Sequence, residues 1–109
     1  MSEIEIVCHL NLDVHTYGIE EAEEFINMDA SVEELGTNII MAIRDSFPDA
    51  QVEIRVHRSV GWIPGTAVWV DGEKDEEMKR EVDSIVEAEI GRYGDWVVYR
   101  ECRADRVSV

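Results

Sequence analysis

A chain of 109 residues, 45% of them hydrophobic, has room for a single domain over 1–109 with one modest core. Acids outnumber Lys and Arg 25 to 10, a formal net charge of −15, which argues against gripping a phosphate backbone or an anionic membrane surface. No apolar run approaches the roughly 20 residues of a membrane span, and the acidic start Met1-Ser2-Glu3-Ile4-Glu5 is no signal peptide, so a cytoplasmic chain is expected.

The clearest period of two comes first. Ile4, Ile6, Cys8, Leu10, Leu12 and Val14 alternate with mostly polar residues, the pattern of a long half-buried strand. After Tyr17-Gly18, the spacing of Ile19, Ala22, Phe25 and Ile26 among glutamates predicts a short amphipathic helix ending near Met28. Ser31-Val32-Glu33-Glu34 reads as a capping box that opens a second helix. Leu35, Ile39, Ile43 and Phe47 form the apolar stripe of that helix, and Pro48 ends it.

Val52, Ile54 and Val56 alternate with Glu53, Arg55 and His57, which predicts a second strand. Residues 59–65 form a turn region, and Thr66 to Asp71 a third strand that pairs with the second as a hairpin. Asp71-Gly72 closes it. Met78, Val82, Ile85, Val86 and Ile90 line a last helix, stopped at Gly91 and Gly94. A fourth strand is expected from Trp96 through Tyr99 to Cys102, with 104–109 as a tail or short extra strand. The order β-α-β-β-α-β predicts an α+β, ferredoxin-like plait: a four-stranded antiparallel sheet in order 4-1-3-2, with the helices on one face.

Charge is unevenly spread. Residues 19–47 carry eight acids and one base, and 71–91 nine acids and three bases, so the helices hold most of the negative charge. Such a layer keeps a protein soluble, and the composition resembles that of salt-adapted proteins. It also suits an inhibitor that mimics nucleic acid and occupies the basic surface of a nucleic-acid-binding protein. Candidate contacts are Glu20, Glu21, Glu24, Glu76, Glu77 and Glu81, with Trp62 in the apolar loop Val60-Gly61-Trp62-Ile63-Pro64-Gly65 as an anchor.

The other sheet face is expected to carry His9, Arg55, His57, Trp69 and Tyr99. Such a surface suits a homodimer interface or a ligand, which makes a regulatory or ligand-binding domain the second reading. Strand 1, Val7-Cys8-His9-Leu10-Asn11-Leu12, lacks the aromatics on which RNA-recognition domains stack bases, so direct nucleic-acid binding is not expected. On the plait, His9 and His57 stand on strands about 10 Å apart, too far for a shared metal. Neither a metal nor a cofactor is predicted.

The nucleotide-binding glycine motifs, HExxH and GxSxG are absent from the sequence. Cys8 falls on a buried strand face, a poor place for a nucleophile, and is expected to be a reduced thiol; the plait would set Cys102 on a neighbouring strand. The leading expectation is a non-enzymatic protein-interaction module, with a small enzyme using the sheet-face histidines and Asp13 as the third reading.

Overall fold

The computed structural model describes residues 3–12, 17, 25–57 and 65–99. It is an α+β architecture: a four-stranded mixed sheet with helices packed on it. The strands are β1 (Ile4–Asn11), β2 (Gln51–His57), β3 (Gly65–Val70) and β4 (Glu73–Lys74), and the helices α1 (Met28–Ser46), α2 (Glu76–Gly91) and α3 (Tyr93–Trp96). The spatial order is β2-β1-β3-β4.

β1 is central. Its even-numbered side chains, Ile6, Cys8 and Leu10, join Val68 of β3 beneath Val32, Leu35, Ile39 and Ile43 of α1 and Val82 and Val86 of α2. The apolar stripes of both long helices meet this one core, as their helical spacing requires. Gly36 lets α1 lie close to β2: a Cβ built there would stand 3.4 Å from an Ile54 methyl.

The sheet corrects the plait expectation. β1 and β2 pair directly and in parallel, from Glu5 opposite Gln51 to Asn11 opposite His57. β3 pairs antiparallel with the other side of β1, so β2 and β3 do not form the expected hairpin. Residues 58–64 separate them, a connection far longer than the two-residue turns that force neighbours to pair. The tight hairpin lies one element later. Asp71 and Gly72 both adopt positive φ, at 52° and 85°, and turn β3 into β4, as a type I′ Asp-Gly pair does. Asp71 also accepts the Glu3 N–H on its carboxylate at 2.8 Å and donates its own N–H to the Glu3 carbonyl, fixing the start of β1.

No strand runs from 96 toward 102 among the described residues; α3 stands at its beginning instead. Trp96 explains this. Its ring is 1% exposed, its indole N–H donates to the Ile90 carbonyl at 3.0 Å, and it meets the Tyr17 ring edge-on. A buried indole with a satisfied N–H outweighs the strand propensity of Trp96-Val97-Val98-Tyr99. The chain then passes the start of α1, where Asn27 donates its N–H to the Val98 carbonyl at 2.8 Å and Ile26 bridges Tyr99.

The capping box at Ser31 is also corrected. α1 begins a turn earlier, capped by the Asn27 side chain, which accepts the Ala30 N–H at 3.1 Å. Ser31 is fully buried within the helix. Its hydroxyl accepts the Val98 N–H at 2.7 Å and donates to the Asn27 carbonyl at 2.8 Å. Most of the short helix expected before Met28 falls outside the described residues, as does Cys102.

Candidate functional site

The register places Glu5, Val7, His9 and Asn11 of β1 on the sheet face away from the helices. Gln51, Glu53, Arg55 and His57 of β2 share it, as do Gly65, Ala67 and Trp69 of β3 and Lys74 of β4. His9, Arg55, His57 and Trp69 therefore occupy the predicted common face. Tyr99 does not: it is exposed near the start of α1, bridged to Ile26, and among the described residues 96–99 no strand carries it into the sheet.

His9 and His57 are closer than a plait allows. With β1 and β2 adjacent, the two residues are diagonal neighbours, and His9 Nδ1 lies 2.8 Å from His57 Nε2. At that distance one ring donates an N–H to the other, the direction depending on the tautomers, and the ring centres are 5.0 Å apart. Partial burial lowers the His9 pKa from its ordinary value, with the neighbouring His57 and Arg55 charges adding to the effect. Arg55 and Glu53 make an exposed ion pair at 3.1 Å along β2. Among the described residues the face is electrically balanced: Glu5 and Glu53 oppose Arg55 and Lys74.

The helix layer has the opposite character. Asp29, Glu33, Glu34 and Asp45 of α1 and Glu76, Glu77, Glu81 and Glu87 of α2 are exposed, against only Arg44 and Arg80 of comparable exposure on the two helices. Glu76, Glu77 and Glu81 thus lie on the outer surface, as expected. Glu20, Glu21, Glu24 and Trp62 fall outside the described residues.

Two polar features sit closer to the core. Cys8 is fully buried, and burial pushes its thiol up to about 12, with Asp83 adding to the rise. That is a protonated, unreactive thiol at neutral pH. Asp83 accepts hydrogen bonds from the Thr66 hydroxyl and, at 2.7 Å, from Lys79, which ties α2 to β3. This tie could be read in the sequence only as far as the Lys79–Asp83 spacing of four; its third member, Thr66, needs the tertiary packing.

The sequence reading also missed the outer side of β2. An apolar groove of about 390 Å³ lies there, between α1 and β2, with Leu12, Val32, Ile40, Ile54 and Val56 among its walls. Alternation along β2 carries no signal for it, since Val56 reads as a buried position and is 47% exposed at the sheet edge. No group of three or more His, Cys, Asp or Glu side chains among the described residues is arranged to hold a metal ion. No helix among them is long and apolar enough to cross a membrane. Comparison with protein-family models, curated proteins and solved structures finds no match to the chain.

Proposed function

We propose that this protein is a non-enzymatic, cytoplasmic interaction module whose acidic helix layer occupies the basic, nucleic-acid-binding surface of a partner protein. The observation that carries the reading is the division of charge between layers. Eight exposed carboxylates face outward from α1 and α2 against two exposed arginines, while the opposite sheet face balances its charges. Carboxylates held on rigid helices at successive turns present a fixed anionic pattern, and such a pattern steers a basic surface into contact as a phosphate backbone does. Glu76, Glu77 and Glu81 belong to the first turns of α2, where Asp75 caps the helix and holds that end in place.

The experiment is competitive capture. The immobilised protein retains basic nucleic-acid-binding proteins at low salt and releases them to added duplex DNA. The triple variant Glu76→Lys, Glu77→Lys, Glu81→Lys retains none. Retention that DNA does not compete, or that the triple variant preserves, sinks the proposal.

A second reading rests on a different observation, the contact between His9 and His57 beside Arg55, with Trp69 further along the same face. Two imidazoles and a guanidinium gathered on one face suit a regulatory domain that receives a small anion or an aromatic ligand. Chemical-shift changes confined to these residues on ligand titration, with no capture of basic proteins, favour this reading.

A further inference from the structure

The outer edge of β2 matches itself. The Leu12 N–H bonds the His57 carbonyl at 3.1 Å, which fixes how the β2 backbone alternates. Residues 51, 53, 55 and 57 turn their N–H and C=O groups to β1, and Val52, Ile54 and Val56 turn theirs outward. Among the described residues no strand pairs with that edge. Edge strands of this length are usually blunted by lysine, proline or a bulge, because their open ladder invites a second strand. β2 reads Gln51-Val52-Glu53-Ile54-Arg55-Val56-His57 and has none of the three.

We propose that two copies of this chain pair antiparallel along β2, about a two-fold axis at Ile54, into a continuous eight-stranded sheet. The sequence is complementary to its own reverse. Glu53 of each copy falls opposite Arg55 of the other, Val52 opposite Val56, and Gln51 opposite His57. The outward backbone groups of Val52, Ile54 and Val56 then meet the same groups of the second copy as a hydrogen-bonded ladder. Glu53 and Arg55 already form an ion pair within one strand, with both side chains more than half exposed. In the pair each carboxylate stands between two guanidiniums, an alternating square in which every side attracts.

The helix side of the edge agrees. Val56 is 47% exposed and stands at the rim of the groove between α1 and β2. Pairing sets Val52 of the second copy against it and extends the apolar surface across the axis. Along β2 itself Glu53 and Arg55 balance, while Asp29 and Glu33 on the α1 wall of the groove repel a second copy and are screened at moderate salt. An isologous contact of this kind closes as a dimer and leaves β2 no edge for further growth.

The test is sedimentation equilibrium of the full chain at moderate salt, from micromolar to submillimolar concentration. Dimers are expected. Glu53→Arg and Arg55→Glu, made separately, each place like charges opposite one another twice and weaken the dimer roughly tenfold or more. The two changes made together restore the complementarity and the dimer. Amide exchange gives the second readout: the N–H groups of Val52, Ile54 and Val56 gain protection as protein concentration rises. A chain monomeric throughout overturns the proposal. So does a dimer that ignores both reversals, or one that Trp69→Glu on the open face dissolves while the reversals do not. No basic partner is present in these measurements, so their outcome is independent of the capture experiment.

Discussion

His9 carries the most informative ionisation on the open sheet face. Its pKa is held below the ordinary value of 6.5, because desolvation and the neighbouring His57 and Arg55 disfavour the imidazolium. The unfolded chain therefore binds a proton more readily than the folded one. A group depressed in this way contributes stability above its unfolded pKa and loses it as pH falls. Urea midpoints are expected to decline as pH falls from 7.5 through 6.5 toward 5.5, and His9→Gln to flatten that decline. An equal decline in the variant assigns it to other groups. The histidines were visible in the sequence as residues of one face, but not as partners. Their contact depends on β1 and β2 being neighbours, and alternation along a strand says which face a side chain takes, never which strand lies alongside.

The start of α1 shows how a local motif gives way to tertiary packing. Ser31 with Glu34 three residues on matches the capping pattern in residue type and spacing, yet the cap is Asn27. The Ser31 hydroxyl is taken instead by the Val98 backbone, sixty-seven residues away. Two substitutions separate these roles. Asn27→Ala removes an exposed cap and is expected to cost about 1 kcal/mol. Ser31→Ala strands the half-buried Val98 N–H and is expected to cost roughly 1–3 kcal/mol, with faster amide exchange at Val98. Urea unfolding of both variants checks the order; a Ser31→Ala variant as stable as wild type contradicts the bridging role. Elements set by their own periodicity were legible. The stripe Leu35, Ile39 and Ile43 is fully buried, and Ile6, Cys8 and Leu10 face the helices as their alternation requires. The Asp71-Gly72 turn carried a hairpin signal that fits β4. The segment Trp96–Tyr99 was opaque, because one buried indole redirects four residues of high strand propensity.

Across the molecule, a net charge of −15 on 109 residues sets self-repulsion against the core. Most of that repulsion lies between exposed helix carboxylates, which mobile ions screen over a Debye length of about 10 Å at 0.1 M salt. Thermal stability is expected to rise on moving from low salt to physiological salt and then level off. A melting temperature that keeps climbing steeply into molar salt points to salt adaptation instead, and removes the need for a basic partner. The layered charge was legible from segment sums, since helices and strands alternate in acidity along the chain. The terminal place of β2 was legible too, since the expected order also put it at the end of the sheet, but its neighbour was not: it pairs with β1 in parallel rather than with β3. One long-range contact also bears on how the chain acquires its shape. The Tyr17 hydroxyl donates to the Asn11 carbonyl and accepts the Asn11 N–H, each at 2.7 Å, completing the ladder where β3 has ended. The Tyr17 ring rests against Trp96, and its carbonyl accepts the Tyr93 hydroxyl at 2.6 Å. The end of the first strand is thus secured through Tyr17 by a residue 76 positions further along the chain. A chain cut before the indole at 96 is therefore expected to leave Tyr17 without its packing partner and the end of β1 loosely held.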